Sequence, residues 1–152
     1  MSIEIDTVSI EAIISALYDT ISHKPGKLPD WQRMKPLFID GARIIAPSLE
    51  GSPIQVMTFQ EFAERVSESV HRAGDADRGF DERELANRTE VFGNMAHVWS
   101  TYESRYTTED QEPFSRGINS FQLLYHSGRW WVVTILWDIE RPGNPIPERY
   151  LP

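Results

Sequence analysis

The chain has 152 residues, a net charge of −8 from 15 Lys and Arg against 23 Asp and Glu, and no cysteine. That length suits one domain with its own core, and a hydrophobic fraction of 40% is too high for a disordered chain. The acidic balance, with no basic cluster, argues against a nucleic-acid partner, and the missing thiols exclude disulfides, thiolate metal sites and cysteine nucleophiles.

The opening Met-Ser-Ile-Glu-Ile-Asp has neither the basic nor the apolar region of a signal peptide, and no run reaches the length of a membrane span. The expectation is a cytoplasmic protein without a membrane partner. No repeat, low-complexity tract or linker divides the sequence. A single domain over 1–152 is expected, with an extended tail over about 141–152, where four prolines break any periodicity.

A first helix is expected from about Asp6 to Ser22. Ile10, Ile13, Ile14, Leu17, Tyr18 and Ile21 make one apolar stripe, and Lys24-Pro25-Gly26 ends it. A shorter helix starts near Pro29-Asp30-Trp31, with Trp31, Met34, Leu37 and Phe38 apolar. Asp40-Gly41 turns the chain into a strand over 42–46. The turn residues of 47–53 read as a loop, and a short strand follows over 54–57. Thr58 and Glu61 form a capping box for a third helix reaching about Arg72, with Phe59, Phe62, Ala63, Val66 and Val70 on one face. The acidic loop over 73–80 lacks the Gly and Glu positions of a calcium loop.

Four strands follow. The first pair, 84–92 and 95–105, meets at Gly93-Asn94. The second pair, 116–126 and 129–140, meets at Ser127-Gly128. The run Trp130 to Trp137 is dense in aromatic and β-branched residues, as a strand covered on both faces should be. Helices first and strands later give an α+β class, with three helices packed on one face of an antiparallel sheet.

This order of elements, with Trp31 in the short helix, the capped helix at Thr58 and the closing Gly128-Arg129-Trp130-Trp131-Val132-Val133, resembles the nuclear-transport-factor-2-like superfamily over about residues 6 to 139. Within it the chain resembles SnoaL-like and ketosteroid-isomerase-like proteins. The resemblance implies a cystatin-like, cone-shaped curved sheet, an apolar pocket and a homodimer. It also implies site residues. Tyr18 and Asn119 match the two oxyanion donors of the isomerases, and Asn119 also matches an asparagine of dehydratase-like members. The isomerase base falls at or near Ala46, which accepts no proton. His97 lies on the strand of a dehydratase histidine, while Glu90 stands where the other histidine would be.

Each of these residues has a structural reading beside the functional one. Tyr18 fits the edge of a core stripe, and Asn119 fits a buried amide bonding backbone or water. His97 alternates with Trp99 and could pack or meet a partner chain. Arg88 and Glu90 share one face of their strand, and apolarity does not decide which face points inward. Trp31, Phe38, Phe62, Phe121 and Leu123 either line a ligand pocket or fill the cone. His23, His71 and His126 sit at element ends and are expected at the surface. No two histidines have ligand spacing, so no metal and no cofactor is expected. Trp130-Trp131 places one indole on each face, which predicts a homodimer through the sheet. Two function classes stay open. One is a lyase, isomerase or cyclase acting on a small apolar carbonyl or hydroxylated compound, with Tyr18 and Asn119 as donors and His97 or Glu90 moving the proton. The other is a binding module of the same fold without chemistry, ligand-binding or protein-interacting.

Overall fold

The computed structural model describes residues 2–48 and 50–152. Four α-helices and six strands follow in order: α1 (Ile3–Thr7), α2 (Ile10–Ile21), α3 (Trp31–Met34), β1 (Phe38–Ile45), β2 (Val56–Met57), α4 (Phe59–Ala73), β3 (Asp81–Phe92), β4 (Met95–Arg105), β5 (Ser115–His126) and β6 (Arg129–Ile139). They make the expected α+β fold, a curved and unclosed sheet in the order β2-β1-β6-β5-β4-β3 with helices over one face. The sheet is antiparallel except at one place: β1 runs parallel to β6.

The expected first helix is two. Ser9 leaves the helical region and caps α2 by accepting from the Ala12 amide at 3.0 Å, so the chain breaks at Val8–Ser9. A side chain that bonds the backbone locally competes with helix continuation. The short α1 is tied down by Arg33, whose guanidinium grips Asp6 through two bonds at 2.8 and 2.9 Å. α3 is capped by Asp30, not opened by Pro29, and yields through a 3-10 turn to β1, which starts at Phe38. The capping box at Thr58 forms as its residues dictate, with the Glu61 amide donating to Thr58 Oγ1 at 3.1 Å. The expected loop over 47–53 carries no helix or strand, Leu49 lying outside the described residues.

The core lies between α2 and the inner face of the sheet. Ile13, Leu37, Ile44, Val98 and Val132 are almost wholly excluded from water there. On β4 the residues Ala96, Val98, Ser100, Tyr102 and Ser104 face inward; His97, Trp99, Thr101 and Glu103 alternate outward.

β3 begins three residues earlier than its apolarity indicates, because Asp81, Glu82 and Arg83 pair with Arg105, Ser104 and Glu103. Its register then shifts between Glu84 and Ala86. A bulge of this kind inserts one unpaired residue and reverses which face the following side chains take. Before it, Glu82 and Glu84 face inward opposite Ser104 and Tyr102. After it, Asn87, Thr89 and Val91 face inward, and Arg88, Glu90 and Phe92 stand outside.

The outer face is partly covered by the chain itself. The expected extended tail instead folds back: Ile146 is buried, residues Glu148–Tyr150 form a 3-10 turn, the Tyr150 ring packs on Trp99 with centroids 5.7 Å apart, and the Tyr150 carbonyl accepts from Thr101 Oγ1 at 2.7 Å. Trp131, expected to need a partner chain, is half-buried and partly covered from within. Its indole N–H donates to the His126 carbonyl at 3.0 Å, and the Arg129 guanidinium lies 3.6 Å from its ring centre. Trp130 takes the inner side and packs against Tyr125 and the core. Among the described residues no helix is long and apolar enough to cross a membrane.

Candidate functional site

A cavity of about 480 Å³ opens between α2, α4 and the inner face of the sheet. Leu17, Ile21, Val66, Phe62, Phe121 and Trp137 give it a mostly apolar wall. Phe38 lines it as well, so three of the five residues expected at a ligand pocket do. Leu123 is instead sealed in the core, and Trp31 stands behind the wall, wedged edge-on against Phe59 and Phe62 with its indole N–H on Ser67 at 2.9 Å.

The polar groups of the cavity collect near β3 and β4. Glu82, Asn119, Tyr18, Tyr102 and Ser104 all line it. Glu82 is brought in by the first, unpredicted residues of β3, opposite Ser104. Burial raises its pKa to about 7 from an ordinary 4.5, with Asn119 and Ser104 beside it offsetting part of the rise. A carboxyl that titrates near neutrality can both take and return a proton.

Tyr18 and Asn119 do come together. The Asn119 amide donates to the Tyr18 hydroxyl at 3.0 Å, and Tyr18 lies 2.6 Å from Ser100 Oγ. Ser100 in turn donates to Glu84 at 2.5 Å. The last bond fixes the direction of the others. A serine has one hydroxyl hydrogen, so Ser100 gives it to the carboxylate and accepts from Tyr18. The chain of bonds therefore runs from Asn119 through Tyr18 and Ser100 to Glu84, which lines a second groove between α2 and β3. Burial, chiefly, and the negative charge of Glu82 push the Tyr18 phenol well above its usual range. It remains protonated at any ordinary pH.

Histidine reaches the cavity from an unexpected place. His23, expected at the surface, has a side chain only 6% exposed; it lines the cavity, lies against Phe80, and stands 3.9 Å from Asp77. His97 and Glu90 do not reach the cavity. They face each other across β3 and β4 on the outer side of the sheet, and His97 Nε2 bonds Ser120 Oγ at 2.9 Å. The bulge in β3 is the reason for Glu90, and strand alternation for His97. Ala46 follows β1 and borders a groove on the outer face. Among the described residues no cluster of histidines and carboxylates could hold a metal ion.

Solved structures of other proteins share this architecture. An NTF2-like protein of unknown function from Shewanella baltica superposes with a TM-score of 0.60 at 17% identity, over 87% of this chain and 91% of that one. A protein from Streptomyces avermitilis described as a proposed dehydratase of the NTF2-like family gives a TM-score of 0.62 at 11% identity, over 87% and 94%. A third, from Novosphingobium aromaticivorans, is called NTF2-like with a cystatin-like fold, with a TM-score of 0.56 at 15% identity over 72% and 69%. The fold is nuclear-transport-factor-2-like. No family model and no curated protein matches the sequence itself. At such identities the likeness is one of fold, and a nuclear-transport-factor-2-like cone can be put to many uses.

Sequence reasoning missed Ser100, Tyr102 and Ser104, and above all Glu82. Its only signal is the alternation of Glu82 and Glu84 at the start of a strand, and apolar periodicity does not see a strand that begins with Asp-Glu-Arg-Glu.

Proposed function

We propose that the cone binds a small, mostly apolar compound bearing a carbonyl or hydroxyl group and moves a proton on it, as a lyase, isomerase or cyclase does. One observation supports this above the rest: a buried carboxylate titrating near 7 on the wall of an apolar cavity. Glu82 is the base. It takes a proton from carbon next to a carbonyl; the C–H electron pair moves into the carbonyl, whose oxygen becomes enolate-like. The proton then returns to a second carbon, or to a departing hydroxyl, which leaves as water. Asn119, between Tyr18 and Glu82, positions the base, and Tyr18 holds Asn119.

A screen of small cyclic ketones, enones and hydroxyketones in deuterated water tests the reading, whichever member of that class is the substrate. Wild type should accelerate deuterium uptake next to the carbonyl of at least one compound, and Glu82→Gln should lose that acceleration by on the order of a hundred-fold or more. Quenching of the cavity residue Trp137 reports binding in the same samples. Binding without exchange in wild type would instead favour the binding module, which the dominance of apolar wall also fits.

We also propose that the chain pairs with a second copy through the uncovered part of the outer sheet face. Phe92, Met95, Leu124 and Leu136 are exposed there. A solution mass of one chain in sedimentation would end this proposal.

A further inference from the structure

The hydrogen-bond directions leave one phenol of the cavity without a commitment, and it is not Tyr18. The Tyr18 proton is directed to Ser100, because Ser100 spends its own on Glu84, and the oxygen of Tyr18 already accepts from Asn119. An incoming carbonyl oxygen therefore finds no free O–H at Tyr18. Tyr102 differs. It lines the cavity on the same inner face, two residue pairs along from Glu82 and Ser104, and its side chain is nearly all buried. Its hydroxyl has no hydrogen-bond partner among the described residues. Nor is it sealed: the one sealed polar side-chain atom without a partner there is Trp99 Nε1. The hydroxyl thus opens on the cavity with its proton unused. A buried phenol normally finds a partner, and one held without it in a ligand-sized space is placed to donate to whatever enters.

Position 117 shows that this placement is built. Tyr102 lies opposite Gly117, and a Cβ there would stand 2.5 Å from the Tyr102 hydroxyl and 2.4 Å from the Asp138 carbonyl. Real Cβ atoms essentially never come so close. Glycine is thus required both by the neighbouring β6 backbone and by the phenol that lies over it. Burial, and the negative charges of Glu82 and Asp138, keep that phenol protonated.

We propose that Tyr102 is the catalytic hydrogen-bond donor of this site, giving its O–H to the substrate's carbonyl oxygen while Glu82 takes the adjacent proton, and that Tyr18 serves only to position Asn119. Tyr102 donates a hydrogen bond and keeps its proton; the negative charge that develops on the substrate oxygen is what it stabilises. The proposal rests on the reading of the cavity as a carbonyl-binding site.

The test uses acetophenone carrying ¹³C at its carbonyl, bound to the full chain and read by difference infrared spectroscopy. In wild type the carbonyl band should lie below its position in hexane, as a hydrogen-bonded carbonyl does. Tyr102→Phe should return the band toward the hexane position and weaken binding by about ten-fold, the effect of one lost neutral hydrogen bond. Gly117→Ala, which leaves every polar group in the chain but whose Cβ meets both the phenol and the Asp138 carbonyl, should do the same. Tyr18→Phe should leave the band lowered. A lowered band that survives Tyr102→Phe, or that Tyr18→Phe abolishes, overturns the assignment while leaving the cavity reading intact. A wild-type band at the hexane position, or no binding at all, removes the carbonyl-site reading and this proposal with it.

Discussion

On the outer face of β4, His97 bonds Ser120 and Trp99 packs under Tyr150 of the tail. On the inner face, one residue along, Ser100 joins the buried chain from Asn119 to Glu84, and Tyr102 faces the cavity. Both faces carry polar and aromatic side chains. What separates them is water. The inner groups are enclosed by α2 and α4, so charges there are costly and donors are effective; the outer groups trade their bonds with solvent or with the tail. Polar residue type alone does not make a site. Enclosure does.

A charge placed on the inner face is the sharpest way to break the difference between the faces. Val98 is wholly buried on the inner side of β4, while its neighbour His97 faces outward opposite Glu90. Burying a charge without a partner costs several kcal/mol, so Val98→Glu should lose most of its soluble, cooperatively melting material in thermal denaturation, and His97→Glu should keep it. Next in size is a pair of neighbours. Leu123 is 2% exposed and Leu124 is 38% exposed. Leu123→Ala should cost about 2–5 kcal/mol in chemical denaturation, and Leu124→Ala about 0.5 or less.

Glu82 makes a prediction of opposite sign. Its pKa is raised in the folded chain, so between about 4.5 and about 7 the folded state holds more protons than the unfolded state. Stability should therefore fall as pH rises through that window and stay lowered above it. Glu82→Gln should remove this slope and gain on the order of 3 kcal/mol above pH 7, while abolishing the proposed proton transfer. Urea melts at pH 5 and pH 8 on both proteins would show it; equal slopes would mean that the carboxylate is better solvated than its setting indicates. The smallest effect belongs to the tail. Tyr150→Ala uncovers Trp99 and should cost about 1 kcal/mol, seen as a drop of a few degrees in Tm.

Much of this is legible in residue spacing. The stripe Ile13, Ile14, Leu17 and Tyr18, the capping box at Thr58 and the hairpins at Gly93 and Gly128 are local signals. They are enough to place α2, α4 and the last four strands, and with them the fold. The pairing of Tyr18 with Asn119 is also foreseeable, as two residues that a known architecture brings to one point. Other features are not. The break at Ser9 depends on one side chain accepting from one amide. The inward turn of His23 depends on its pairing with Phe80. The fate of Trp131 depends on Arg129 lying across it.

The sequence by itself determined the class of fold, the apolar stripes and the polar residues available for a site, because each follows from periodicity and side-chain type within a few positions. Only the tertiary structure decided which of those polar residues share the cavity. A single unpaired residue in β3 sends Glu82 in and Glu90 out, and the enclosure that raises the Glu82 pKa is supplied by helices distant in the chain. Facing and burial are properties of pairing between strands, and that pairing is set by the whole sheet.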